Sequence, residues 1–275
     1  MSHELDDADR NAFAEEMRAQ RKNRGWSADE LAAKMLYSVS TVKNLESGYR
    51  APTPAQAIAA DEAFGTPGTF QRLERRLRGI PFSAGFRPFT PYEEQARLIR
   101  TFQNSLVPGL FQTRKYANAI LAVNPETTED IVKDMLEARL QRQQILYRQG
   151  TPPPPRIHAI LDEHVLHRGI IPPAGMAEQL QHLVRLARMP RISIQVFPGN
   201  RAHPGHGGFI IAETPQHPAI VYIDGVLDGR VVESADTAER MDVVFRALQM
   251  EAYSGTVSLA KLEEAAQQWN DQTEP

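Results

Sequence analysis

The sequence contains no cysteine. This absence excludes disulfides, thiolate metal sites and catalysis by a thiol. No apolar run approaches the ~20 residues of a membrane-spanning helix, and the N-terminus lacks the apolar core of a signal peptide. With 275 residues, of which 41% are apolar and 24% charged, the chain is long enough for two domains. We therefore expect a cytoplasmic protein with no membrane association.

Two enzyme motifs are also missing. No Gly-x-Ser-x-Gly segment occurs, so a hydrolase of that kind has no candidate nucleophile. The glycine-rich residues 205–208 lack both the Gly-Lys-Ser/Thr ending and the following helix of a phosphate-binding loop. His203 and His206, with His217 further along, lie among glycines and prolines that do not give the rigid ligand spacing of a zinc site. We expect no metal, no cofactor and no enzyme.

Residues 26–50 carry the most informative pattern, which predicts two short helices joined by a tight turn. Ser27 followed by Glu30 is a capping box, so the first helix should begin at Ala28. Ser38 is placed to cap the second helix. Apolar residues at helical spacing form the inner faces of both helices. These residues are Leu31, Ala32, Met35, Val42 and Leu45.

The outer side of the second helix carries short polar groups and one lysine, which suit a major groove. We expect Val39 to contact a thymine methyl, and Ser40 and Asn44 to bond base edges. Other side chains around the motif should hold phosphates or cap the helices. The full set of predicted DNA-binding residues is Ser27, Ser38, Val39, Ser40, Thr41, Lys43, Asn44 and Arg50.

This pattern resembles the helix-turn-helix of the phage-repressor-like (Xre/Cro-type) regulators. The residues that match the family motif are Ala32, Val42, Leu45, Glu46 and Gly48. Leu36 stands where the family has a turn glycine, and Ala28 where it has a phosphate-binding glutamine. Since glycine adopts positive φ without steric cost, Leu36 implies either a strained turn or a different turn geometry. An ordinary helical hairpin in a small bundle is the alternative to a DNA-binding motif.

Neighbouring segments predict a domain of about five helices. Phe13 and Met17 share one face of a preceding helix, Thr53 opens a capping box before a helix through Phe64, and residues 69–78 form a fifth helix. Residues 11–79 hold eleven Lys and Arg against eight Asp and Glu, whereas the whole chain has a net charge of −3. This local positive excess suits phosphate contact, although a solvated helical surface would have the same composition.

A junction rich in glycine and proline follows at residues 80–91. Its phenylalanines Phe82, Phe86 and Phe89 should pack the two domains together or contact a partner chain. Beyond it, we expect helices over residues 91–103, 112–122, 125–148, 173–188, 235–251 and 258–269. We expect strands over residues 156–161, 191–197, 209–212, 219–223 and 230–233.

Several blocks of this second part are similar to the actinobacterial WhiJ-like regulators (antitoxin-like, Scr family). The similar blocks are residues 106–113, 116–117, 137–143, 161–163, 179–183, 196–198 and 207–209. The resemblance implies a DNA-binding regulator whose C-terminal domain has no settled biochemical role. It also implies a small partner protein, encoded by an adjacent gene, that relieves repression.

The same blocks contain the candidate residues for a ligand or partner site. Pro108-Gly109 indicates a buried turn that fixes two helices, or else a groove. Arg139 and Arg142 share one helical face. Three interpretations remain open for them: solvated surface, buried ion pairs or an anion-binding site. The candidate ligand or partner residues are Gln112, Thr113, Tyr116, Arg139 and Arg142.

Together these patterns predict an α+β protein, with a helix-turn-helix domain at residues 1–79 and a mixed domain with a small sheet and flanking helices at 80–275. The predicted function is a transcriptional regulator, specifically a dimeric repressor that binds a double-stranded DNA operator and senses a partner protein or ligand. One alternative is an antitoxin-like protein that mainly neutralises a small partner protein. Another is an enzyme with a phosphate-handling site near His203 and His206.

Overall fold

The computed structural model describes residues 2–77, 85–124, 127–203, 207–217, 219–225 and 229–273, without the side chains of 2–10 and 75–77. The chain divides into two compact units, Met1–Pro81 and Phe82–Pro275. The first is helical and the second combines a sheet with helices, so the expected α+β class is confirmed. In the described ranges, no helix has both the length and the apolar character needed to cross a bilayer.

Within the described residues, the first unit has five helices. They are α1 (Ser2–Asn23), α2 (Ala28–Met35), α3 (Val39–Glu46), α4 (Pro54–Phe64) and α5 (Thr69–Leu77). Phe13 of α1 meets Phe70 of α5 edge to face, with ring centres 5.3 Å apart, at the centre of the bundle. The predicted capping box at Thr53 is confirmed, because Gln56 N donates to Thr53 Oγ1 at 3.3 Å and Thr53 N donates to Gln56 Oε1 at 2.9 Å.

The buried carboxylate of Asp61, in α4, binds the first turn of α5. It accepts hydrogen bonds from Phe70 N and Gln71 N, both at 3.0 Å, and from the hydroxyl of Thr66 at 2.6 Å. Burial alone raises the pKa of Asp61, but these hydrogen bonds outweigh it and lower the pKa below its usual value. Asp61 therefore satisfies amides that α5 leaves unbonded and joins two helices.

In the part of the second unit that the structure describes, the strands form one mixed sheet with helices on both faces. The strands are β1 (Leu98–Gln103), β2 (Arg156–Asp162), β3 (Ile192–Phe197), β4 (Phe209–Glu213), β5 (Ile220–Ile223) and β6 (Arg230–Val232). The helices are α6 (Thr90–Gln95), α7 (Arg114–Leu121), α8 (Glu129–Arg142), α9 (His164–His167), α10 (Pro173–Ala187), α11 (Ala235–Glu251) and α12 (Gly255–Asp271). Short 3-10 helices lie at Arg87–Phe89, Gly109–Phe111 and Gln143–Leu146.

The six strands lie in the order β3-β2-β1-β4-β5-β6. Strands β1, β2 and β3 are parallel, and β4, β5 and β6 continue the sheet by antiparallel pairing. Ile99 and Ala159 belong to the apolar core shared with α10 and α12, whereas Phe102 and Phe209 pack with Phe245 of α11. Helices therefore cover both faces of the sheet.

The prediction of one helix over residues 91–103 is wrong for residues 98–103, which form a central strand. Helix α6 ends at Gln95, and residues 98–103 form β1, which lies between β2 and β4. Arg100 obscured the strand in the sequence, because its charge is neutralised by partners far along the chain. It pairs with Glu213 of β4 at 2.6 Å and with Asp242 of α11 at 2.7 Å.

Other boundaries also differ from the expectations. The helix expected over 125–148 begins at Glu129, where Thr128 caps it, and ends at Arg142; residues 125 and 126 lie outside the described residues. Phe86 and Phe89 are buried in the apolar core of the second unit, and their expected role between domains or between chains stays a prediction. Phe82 lies outside the described residues.

Candidate nucleic-acid interface

Helix α2 begins, as predicted, at a capping box. Glu30 N donates to Ser27 Oγ at 3.1 Å, and Ser27 N donates to Glu30 Oε2 at 2.7 Å. The hydrogen bonds from Ser27 lower the pKa of Glu30. Leu31 and Met35 face the core. This cap fixes where α2 starts and leaves Ser27 exposed at the surface.

The turn between α2 and α3 contains a leucine in a left-handed conformation. Leu36 has φ 60° and ψ 35°, and among the described residues only glycines share its positive φ. Of the two possibilities left open by the missing glycine, the structure therefore has the strained turn. The side chain of Leu36 is 91% exposed.

Helix α3 is capped by Ser38, also as predicted. Thr41 N donates to Ser38 Oγ at 3.1 Å, and the same oxygen lies 2.9 Å from Ser40 Oγ and 2.8 Å from Thr41 Oγ1. The first turn of α3 contains no acidic residue. A cluster of hydroxyls at an uncompensated helix N-terminus attracts an anion such as a DNA phosphate.

The two sides of α3 differ sharply in burial. Val42 and Leu45 are 0% and 2% exposed and pack in the helical core. The opposite side is open to solvent, except that Val39 is half-buried and packs against the core, which limits its reach to a base. Ser40 and Lys43 are exposed there, and Thr41 and Asn44 are half-buried.

An ion pair that the sequence analysis missed holds α3 against α1. Arg21 Nε and Nη2 donate to the two carboxylate oxygens of Glu46 at 2.5 and 2.9 Å, and Nη1 donates to Trp26 O at 2.9 Å. The hydrogen bond to Glu46 raises the pKa of Arg21. Arg21 follows Phe13 and Met17 at four-residue spacing, so its place on the core-facing side was a signal for a buried partner.

The segment after α3 turns sharply at Gly48, where φ is 70°. Arg50 N lies 3.4 Å from Asn44 O, and its side chain is exposed. Tyr49 was not among the predicted contacts, yet it is 82% exposed. Lys43, Tyr49 and Arg50 therefore extend the accessible surface beyond the end of α3.

The C-terminal candidates Gln112, Thr113 and Tyr116 form hydrogen bonds within the second unit. Gln112 Nε2 donates to Val107 O at 2.7 Å, and Val107 N donates to the hydroxyl of Tyr116 at 3.3 Å. Thr113 caps α7, and its amide donates to Gln179 Oε1 of α10 at 2.7 Å. These bonds hold the Pro-Gly loop against α7 and α10.

Arg139 and Arg142 surround a buried glutamate, so the solvated-surface alternative for them is wrong. Arg142 Nε lies 2.9 Å from Glu93 Oε2, and its guanidinium lies 4.5 Å from the centre of the Phe86 ring. Arg139 Nη1 donates to Gln112 Oε1 at 2.7 Å. Burial, reinforced by Arg142 and opposed by Glu93, lowers the pKa of Arg139 to about 10. Burial also raises the pKa of Glu93, against the effect of both guanidiniums.

Among the histidines, two lie near one buried carboxylate. His164 Nδ1 is 2.7 Å from Asp162 Oδ1, and His203 Nε2 is 3.8 Å from Asp162 Oδ2. Asp162 also accepts a hydrogen bond from His164 N at 2.9 Å. His206 lies outside the described residues, and His217 is exposed. Of the side chains described, no three or more ligating groups converge closely enough to hold a metal ion.

Comparisons with known proteins match both units. A family model described as "Helix-turn-helix" (HTH_3) matches residues 17–71, which include α2 and α3. A second model, described as "Domain of unknown function (DUF5753)", matches residues 86–264, more than half of the chain. No curated protein and no solved structure matches the sequence. The first match supports a DNA-binding regulator, as the resemblance in the sequence implied.

Proposed function

The chain belongs to the DUF5753 family, and we propose that it is a sequence-specific transcriptional regulator, a repressor that binds its operator as a homodimer. The observation that carries the proposal is the exposed side of α3. There Ser40, Lys43 and Asn44 are accessible to a ligand, while Val42 and Leu45 hold the helix in the core. Short polar groups on a rigid, exposed helix suit contact with base edges in a major groove.

The chemistry of the exposed groups assigns a role to each side chain. Asn44 has a donor and an acceptor for a base edge, and Ser40 has a hydroxyl that serves either way. Lys43 and Arg50 place positive charge where phosphates flank the groove. Thr41 and Ser38 lie at the N-terminus of α3, where the helix dipole favours a phosphate. Ser27, exposed at the start of α2, offers a hydroxyl to a phosphate.

The short length of α3 supports binding as a dimer. The helix has 8 residues, and a single helix of this kind reads only a few base pairs. Two copies with half-sites about 34 Å apart, one turn of DNA, contact enough sequence for a specific operator. An operator with two-fold symmetry follows from this arrangement.

The C-terminal unit supplies the regulatory input on this proposal, by binding rather than by catalysis. The resemblance to the WhiJ-like regulators favours a small partner protein from an adjacent gene as the input. Co-expression of the chain with the product of the neighbouring gene tests this point. A stable complex that releases operator DNA supports partner sensing, and the absence of both effects refutes it.

DNA binding itself is tested by selecting duplexes from a random pool and titrating the best one in gel shifts at two salt concentrations. Asn44→Ala should cost about 1–3 kcal/mol of binding and relax base choice at one position. Lys43→Ala should weaken all duplexes alike and reduce the salt slope by about 1. Lys22→Ala, at an exposed lysine of α1, is the matched control and should leave both properties unchanged. Equal affinity of wild type, Asn44→Ala and Lys43→Ala contradicts the assignment.

A further inference from the structure

Leu36 combines two features that are unfavourable for the folded first unit. Its φ of 60° places a γ-branched residue in the left-handed region, which side chains with a Cβ adopt at an energetic cost. Its side chain is 91% exposed, so this cost is not offset by burial of apolar surface. Glycine at this position would relieve the first feature and remove the second.

The neighbours of Leu36 show that the fold itself does not use its side chain. Met35 is 2% exposed in the helical core, and Tyr37 is half-buried and packs against that core. Leu36, in contrast, is 91% exposed and does not belong to that core. A strained residue whose side chain contributes nothing to the core is a candidate for a functional role.

Exposed apolar side chains of the first unit are concentrated around α3. Among its described side chains, the large exposed ones are Leu36, Tyr49 and Ile58. Leu36 stands three residues before the start of α3, and Tyr49 three residues after its end. Two of the three therefore flank the helix that carries Ser40, Lys43 and Asn44.

We propose that Leu36 is an apolar DNA contact, whose side chain packs against the duplex beside the end of α3 that enters the groove. The inference rests on the proposed function, since it requires α3 to lie in a major groove. Thymine methyl groups and deoxyribose carbons are the apolar surfaces that a duplex offers there. Contact with either one buries the apolar side chain that the free protein leaves in water. The side chain then contributes to the free energy of binding, although it does not stabilise the fold.

Two variants distinguish the contribution of the Leu36 side chain from that of its backbone conformation. Leu36→Gly removes the side chain and relieves the left-handed backbone, so its Tm should rise. Leu36→Ala removes the side chain but keeps the unfavourable φ, so its Tm should not rise. Both should bind the duplex selected by the wild type about tenfold more weakly, the effect expected from the loss of one or two buried methylene groups. The salt slope should stay unchanged, because no phosphate contact is lost.

Ile58→Ala is the matched control, since Ile58 is a 44% exposed apolar residue of α4, and its affinity should equal that of the wild type. Replacing thymine by uracil in the selected duplex then distinguishes a contact with a thymine methyl group from a contact with deoxyribose. A loss of affinity seen with the wild type but not with Leu36→Gly identifies the methyl group. No loss of affinity with the wild type identifies deoxyribose. Wild-type affinity in both Leu36 variants overturns the inference alone. A wild-type protein that selects no duplex overturns the proposed function and this inference together.

Discussion

The two units differ in the burial of the polar residues of their motifs, which are exposed in the first unit and buried in the second. In the first unit, Ser40 and Lys43 are exposed on α3, and the core behind them is apolar. In the second unit, Gln112 and Tyr116 are buried and bond to the backbone of Val107. Polar residues in a family-like block are thus no guide to a binding surface until their hydrogen-bond partners are known.

The ion pairs of the two units also differ in burial and in the balance of charge. Arg21 and Glu46 form a bidentate pair of one cation and one anion, with side chains 17% and 9% exposed. In the second unit, Arg139 and Arg142 surround the single carboxylate of Glu93, which is 1% exposed. The loss of a carboxylate should therefore be more harmful in the second unit, where two guanidiniums remain in a buried site.

The largest expected effect is that of Glu93→Ala. Two buried guanidiniums then lose their common counter-charge, which should cost about 3–5 kcal/mol of the free energy of unfolding. Urea unfolding followed by Trp269 fluorescence in a Trp26→Phe background reports on the second unit alone, because the chain has 2 tryptophans. Glu94→Ala, at the exposed neighbouring position, is the control. A loss as small as that of the control would show that the arginines are solvated after all.

A smaller effect is expected for Glu46→Ala in the first unit. Arg21 loses two charged hydrogen bonds but keeps its bond to Trp26 O and some access to water, so the cost should be about 2–3 kcal/mol. Trp26 fluorescence in a Trp269→Phe background measures it, with exposed Glu62→Ala as the control. DNA affinity should fall with stability, since α3 loses its link to α1. Unchanged stability would mean that packing alone positions α3.

The smallest expected effect is that of Asp61→Asn, whose effect on stability should depend on pH. The pKa of Asp61 is lowered in the fold, so its contribution is fully present above the unfolded value of 3.8 and is lost as the pH falls through the folded pKa. Asp61→Asn should be less stable than the wild type at pH 7 by about 1–2 kcal/mol. The two proteins should converge in stability below pH 3.8. Thermal melts of both between pH 2 and pH 7 test this prediction, and a constant difference across that range would refute it.

Features that depend on neighbouring residues in the chain were predictable. The caps at Ser27, Ser38 and Thr53 all formed as expected, because each one bonds an amide three residues away. The sequence also shows Leu36 as a departure from the usual turn, and of the two geometries that it leaves open the structure has the left-handed one. The helix-turn-helix could thus be located from short-range patterns alone.

Features that depend on distant partners were not predictable. The sequence predicts a helix where residues 98–103 form a strand, because Arg100 interrupts the apolar pattern of that strand. The partners that neutralise Arg100 lie more than one hundred residues away in the chain. Arg21 and Glu46 are 25 residues apart, and nothing in the sequence pairs them. The inward orientation of Arg139 likewise depends on Gln112 and on burial against Glu93.

The sequence by itself thus determined local features of the first unit: where α2, α3 and α4 start, and which side of α3 is apolar. Hydrogen bonds and rotamers within one helical turn determine these features without reference to the rest of the molecule. Which charged groups are buried, and against what, was determined only when distant segments packed together. Burial of a charge is favourable only with a partner in place, and in this protein the partners of Arg21 and Arg100 come from other helices and strands.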